Sequence, residues 1–149
     1  MPYSLDGTEV DSLELISRLN ETAGAFGLGR YVGLEEVAPA VKVQEVREMP
    51  AAHVLFDVFR RIESACVSAE CIREKIQIEQ VWVREAVEGR WFGPLRQASQ
   101  AFIDNLSSQV TGTVIYRLEP QNMHVVSLSA ERPLYVRDRT QFEDGQKTA

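Results

Sequence analysis

Thr113-Val114-Ile115-Tyr116-Arg117-Leu118, then Glu119-Pro120-Gln121-Asn122, then His124-Val125-Val126-Ser127-Leu128, is the run on which the fold class turns. Two stretches rich in β-branched and aromatic residues flank four residues of turn chemistry, so the run predicts an antiparallel hairpin. A short extended piece, Pro133-Leu134-Tyr135-Val136, is expected to add a strand. Upstream of the hairpin the periodicity is helical. Pro50 suits a first helical turn, and Val54, Leu55, Val58, Phe59 and Ile62 form a stripe. Ser68 is the expected cap of a helix near 69–87, with Ile72, Ile76, Val83 and Val87 as its buried face and Gly89 as its stop. A further helix near 95–108 is expected to bury Leu95, Ala98, Phe102 and Leu106. Helices and antiparallel strands in separate runs predict an α+β fold, with helices packed on a small antiparallel sheet.

At the other end, residues 10–25 predict a helix capped by Asp11, with Glu14 completing a capping-box-like pair. Leu13, Ile16, Leu19 and Ala23 are its expected buried face, and Gly27 and Gly29 stop it. Between Arg30 and Met49, Tyr31-Val32-Gly33-Leu34 and Val41-Lys42-Val43-Gln44-Glu45-Val46-Arg47 read as two short strands, or a strand and a loop, separated at Pro39. The spacing of Val41, Val43 and Val46 implies a slip in register, of the kind a bulge produces.

The chain has 149 residues, enough for one domain with a sizeable core and no need of disulfides or metal. Residues 1–141 are expected to form that domain and 142–149 a polar tail. Hydrophobic residues make up 44% and charged residues 26%, the balance of a soluble globular protein. A net charge of −6 argues against nucleic acid, which needs a basic face. No run reaches the roughly 18 apolar residues of a membrane span, and the N-terminus lacks a basic-then-apolar leader, so a cytoplasmic location is expected. Cys66 and Cys71 read as free thiols, and with two distant histidines they make no zinc pattern. No metal and no cofactor are expected.

Leu19-Asn20-Glu21-Thr22-Ala23-Gly24, followed by Gly27-Leu28-Gly29-Arg30, resembles the opening of the C-terminal domain of argininosuccinate synthase. Leu5-Asp6-Gly7 resembles the short motif before the first helix of that domain. Glu88-Gly89-Arg90-Trp91-Phe92-Gly93-Pro94 resembles the family's Asn-Gly-x-Trp-Phe-Ser-Pro segment, and Val110-Thr111-Gly112-Thr113-Val114 its Val-Thr-Gly-x-Val strand start. Leu134-Tyr135 resembles the end of a Ser-Leu-Tyr motif, and the likeness runs over roughly residues 2–140. It implies that Glu35 occupies the place of a citrulline-contacting glutamate and Lys42 that of the lysine in a Lys-Ser-Arg-Gly motif. Glu48 and Pro50 then fall on a Tyr-Glu-x-Pro motif. The departures bear on function. Val43, Gln44 and Glu45 replace serine, arginine and glycine, and Arg47 replaces a second citrulline contact, a tyrosine. The resemblance also places the family's ATP and aspartate contacts upstream of Met1.

The densest run of functional side chains is therefore residues 30–48. Glu35 and Glu45 are the candidate acid–base pair, and Arg30, Lys42, Gln44 and Arg47 are candidate ligand contacts, Arg47 being suited to a carboxylate. Trp91 is the candidate floor of a pocket. The competing reading is a solvated strand edge held by surface ion pairs, with Trp91 anchoring a loop. The expected function is ATP-independent binding or conversion of a small molecule in a biosynthetic pathway, by a separate domain of this type that is not itself an argininosuccinate synthase. The alternatives are a non-catalytic regulatory subunit, or half of a split ligase working with a separate nucleotide-binding protein. A homodimer or other homo-oligomer is expected, with a separate protein partner as a further option.

Overall fold

The computed structural model describes residues 2–135. In chain order the elements are β1 (Ser4–Leu5), β2 (Thr8–Glu9), α1 (Ser12–Ala25), β3 (Arg30–Ala38), β4 (Val41–Glu48), α2 (Pro50–Cys66), α3 (Ala69–Val87), α4 (Pro94–Ser107), β5 (Gly112–Glu119) and β6 (Asn122–Ala130). The strands form three separate two-stranded antiparallel sheets, β1–β2, β3–β4 and β5–β6. The fold is α+β, as the segregated runs predict. By packing, the described residues divide into two compact units, residues 2–58 with 115–127, and residues 59–114 with 128–135.

In the first unit, Asp11 caps α1 by accepting a 2.8 Å hydrogen bond from the Glu14 backbone N–H. The helix buries Leu15, Leu19 and Ala23, spaced four apart, against Leu28, Ala51 and Val54. Leu13 and Ile16, expected on this face, are exposed. The buried line is set by Leu15 instead, one residue out of the assumed phase. After Phe26, Gly27 and Gly29 turn the chain with φ of 73° and 74°. Gly29 is dictated twice over, because a Cβ there would also lie 2.6 Å from the Pro50 Cα and 2.7 Å from the Met49 carbonyl. Its own carbonyl accepts the Met49 N–H at 2.9 Å, which closes the base of the β3–β4 hairpin. Asp6 and Gly7, both at positive φ, form the turn of the β1–β2 hairpin, a pair that the sequence reading left unassigned.

In the second unit, α3 and α4 pack against each other. Ser68 caps α3 through the Cys71 N–H, and Gly93 with Pro94 opens α4. The apolar stripe expected on α3 is not its inner face. Ile76, Val83 and Val87 are exposed, while Lys75 and Glu85 are buried. On α4, Ser99 is buried and Leu95 and Phe102 are exposed. On α3 the buried charges occupy positions that hydrophobic periodicity assigns to solvent, and on α4 the buried position is a serine whose hydroxyl donates to the Leu95 carbonyl. Lys75, 3% exposed, lies 2.9 Å from Glu63 Oε1, pairs with Glu79, and sits 5.0 Å from the centroid of the Phe59 ring. Glu85 is held by two hydrogen bonds from Arg90, at 2.8 and 2.7 Å. The segment at 133–136 is not a strand as far as Tyr135, where the Leu134 N–H is bonded to the Ala65 carbonyl. Val136 and the polar tail from 142 lie outside the described residues. None of the described helices is long and apolar enough to cross a membrane.

Candidate functional site

Six of the seven candidate residues fall on the β3–β4 hairpin, and its register decides which of them meet. Opposite residues are Arg30 with Glu48, Tyr31 with Arg47, Val32 with Val46, Gly33 with Glu45, Leu34 with Gln44, Glu35 with Val43, and Glu36 with Lys42. Ala38 then pairs with Val41, so the register shifts by one residue between Glu36 and Ala38. Val37 is the extra residue, and the tight turn beyond it places Ala40 at a φ of 62°. The bulge expected from sequence exists, on β3 rather than in the valine run of β4. Its consequence follows from strand alternation. Without the bulge, Glu35 would lie opposite Gln44, and Glu45 and Arg47 would point to the other face. With it, Tyr31, Glu35, Val43, Glu45 and Arg47 share one face. Arg30, Lys42 and Gln44 share the opposite face with Val32, Leu34 and Val46.

On the first face Arg47 Nη2 donates to Glu35 Oε2 at 3.2 Å and forms an ion pair with Glu45. The two carboxyl groups, both in contact with Arg47, act on each other. The Glu45 carboxyl, first by side-chain contact and then by its charge, holds Glu35 above the usual carboxylate range, while Arg47 opposes the rise. Contact with Glu35, reinforced by Arg47, holds Glu45 below it. The neighbouring carboxylates and the guanidinium thus push the two glutamates apart, Glu35 upward and Glu45 downward. Tyr31 runs over Gly33, where a Cβ would come within 2.3 Å of its hydroxyl. Glycine at 33 lets the phenol lie flat along the strand. Glu35 and Arg47 are about half exposed, and Glu45 less so. The arrangement is an open face, not an enclosed cavity.

On the opposite face Arg30 Nε donates to Glu48 at 3.0 Å. Trp91 belongs to the second unit. There its ring meets Trp82 edge-on at 5.5 Å between centroids, and the Arg96 guanidinium stacks on it at 4.8 Å. The Trp82 indole N–H donates to Gln100 at 2.7 Å. Sequence reasoning missed this knot and the Lys75 cluster. The four-residue spacings of Lys75 with Glu79 on α3 and of Arg96 with Gln100 on α4 were the available signal. A shallow depression lined by Tyr3, Glu9, Val10, Asp11 and Glu14 lies elsewhere in the first unit. Among the described residues, no group of three or more His, Cys, Asp or Glu side chains is placed to hold a metal ion.

The family model of the arginosuccinate synthase C-terminal domain matches residues 1–149. An argininosuccinate synthase of Rubrobacter xylanophilus is 36% identical over 143 residues, covering 96% of this chain and 35% of that protein. One from Methanopyrus kandleri is 34% identical over 146 residues, covering 98% and 37% respectively. One from Trichodesmium erythraeum is 37% identical over 135 residues, covering 91% and 34%. The chain thus spans about a third of the length of the curated relatives it matches. With the whole chain matched by the family model and nearly all of it aligned to such relatives, the protein belongs to the argininosuccinate synthase C-terminal domain family.

Proposed function

We propose that this domain binds, and by acid–base chemistry converts, a small biosynthetic molecule carrying both an amino and a carboxylate group, without using ATP. The observation that carries this reading is the set of Glu35, Glu45 and Arg47 on one face of the hairpin, both carboxylates in contact with one guanidinium. Arg47 offers a planar fork to a ligand carboxylate, and the Glu45 carboxylate accepts from an ammonium. Glu35, holding its proton above the usual range, is the group able to donate it and take it back. Arg47 supplies an anion contact that the tyrosine in the resembling motif would not. Arg30, Lys42 and Gln44 face the other way and Trp91 is held by Arg96, so the reading rests on the three residues alone.

A second reading, a non-catalytic binding or regulatory subunit, draws on the exposure of Phe92 and Val87, at 85% and 80%. Apolar side chains that open to water mark surfaces that another protein can cover. Half of a split ligase is the form of this reading in which the partner supplies the nucleotide site.

Isothermal titration calorimetry with citrulline, aspartate and ATP separates the readings. Binding of an amino acid but not ATP, lost in both Glu35→Gln and Arg47→Ala, is the expected result. Binding that survives both substitutions overturns the site assignment.

A further inference from the structure

Tyr31 shares a face with Glu35, Glu45 and Arg47 and takes no part in their ion pairs. It stands directly opposite Arg47, and its ring runs along β3 over Gly33, beside Glu45 on the neighbouring strand. The hydroxyl, Cε1 and Cζ lie 2.3, 2.4 and 2.5 Å from where a Cβ at Gly33 would be. The ring thus fills the place of the missing side chain. Among the described residues its hydroxyl makes no hydrogen bond, so the strand beneath sets its position. Tyr31 remains 50% exposed. An aromatic ring laid on a strand and half open to water is a surface on which a second ring can rest.

Building on the binding role proposed for Glu35, Glu45 and Arg47, we propose that Tyr31 is the stacking platform of this face and sets its substrate class, an aromatic α-amino acid. Directly opposed side chains on one face of an antiparallel pair have Cβ atoms about 4.5–5.5 Å apart. The ring on β3 and the charged groups on β4 therefore lie about one strand spacing from each other. An α-amino acid with a single methylene between its α-carbon and an aromatic ring spans such a gap. Its carboxylate meets the Arg47 guanidinium, its ammonium meets the Glu45 carboxylate, and its ring rests on Tyr31. Two rings in offset or edge-to-face contact attract through their quadrupoles beyond the area they bury. A saturated ring of the same size gains only the burial, which is small on an open face.

An aromatic side chain over a strand glycine also shields the backbone beneath it. Shielding acts with or without a ligand and creates no preference between an aromatic and a saturated one. That preference is what distinguishes a stacking platform from a cover.

NMR titration of the whole chain with L-phenylalanine and with L-cyclohexylalanine tests this. The two share a head group and a six-membered ring and differ in the π system. Phenylalanine is expected to bind about three- to tenfold more tightly and to move the Tyr31 ring protons upfield. Tyr31→Phe should keep that preference, and Tyr31→Leu should bring the two ligands to equal affinity. Circular dichroism checks that each variant is folded, and Tyr31→Met replaces Tyr31→Leu if that variant unfolds. A role confined to covering Gly33 would weaken both ligands alike in Tyr31→Leu and leave their ratio unchanged, which overturns the proposal. Equal affinity in the wild type, with binding lost in Arg47→Ala, also overturns it and leaves the head-group reading standing. Phenylalanine binding that survives Arg47→Ala, or no binding of either amino acid, overturns that reading and the stacking role with it.

Discussion

Gly29 carries more of the fold than its size suggests. It takes a φ of 74° in a turn where the Met49 and Pro50 backbone passes too close for a Cβ. Gly29→Ala should destabilise the protein by more than about 1 kcal/mol in urea denaturation, from left-handed strain and backbone clash together. Glu35 and Glu45 make a second residue-scale prediction. In carboxyl NMR titration, Glu35 should titrate above and Glu45 below the ordinary glutamate range. Glu45→Gln should return Glu35 towards the ordinary value. The linkage has opposite signs at the two sites. The raised Glu35 favours the folded state at acidic pH, a contribution lost as pH rises through its folded pKa. The lowered Glu45 favours it above the usual carboxylate range, lost as pH falls through its folded pKa. Residue types alone pointed to this trio, because Glu35 falls on a glutamate of the resembling family while Glu45 and Arg47 replace its glycine and tyrosine. That they touch was not legible, because it depends on register.

Register belongs to the element. Deleting Val37 should remove the bulge, turn Glu35 away from Glu45 and Arg47, and abolish the split carboxyl titration while leaving the helices intact by circular dichroism. Helix phase was the other element-scale matter that the sequence concealed. Asp11, Ser68, Gly27, Gly89 and Pro94 mark helix ends by local chemistry, and the structure places the ends there. The inner faces of α3 and α4 follow tertiary packing. Lys75 and Glu85 are buried on α3 because each has charged partners, Glu63 and Glu79 for one and Arg90 for the other. Apolar periodicity cannot anticipate that. Burial works against the Lys75 charge, but the hydrogen bond with Glu79 and the ion pair with Glu63 outweigh it and hold the ammonium above the ordinary lysine range. Its contribution to stability is therefore complete below that range and lost only as pH rises through the folded value. Lys75→Met, which leaves Glu63 buried without a cation, should cost about 3–5 kcal/mol, and a second change, Glu63→Gln, should recover much of it.

At the scale of the molecule, the α+β class and the family were both legible, because turn chemistry, helix caps and ordered short motifs are local signals that survive at 34–37% identity. The arrangement into two packed units was not, since the division falls inside α2 and inside the β5–β6 hairpin. The relatives are about three times as long as this chain, and several apolar side chains on α3 and α4 face outward. Activity in this chain therefore has to be read from its own surfaces, and the face proposed for it is that of Glu35, Glu45 and Arg47. The most direct test is an amide-resolved NMR titration with citrulline and with aspartate. Shifts centred on Tyr31, Glu35, Val43, Glu45 and Arg47, and absent in Arg47→Ala, are the predicted result. Shifts centred on Trp91 and Arg96, or none at all with either amino acid, would contradict the assignment of the ligand to the hairpin.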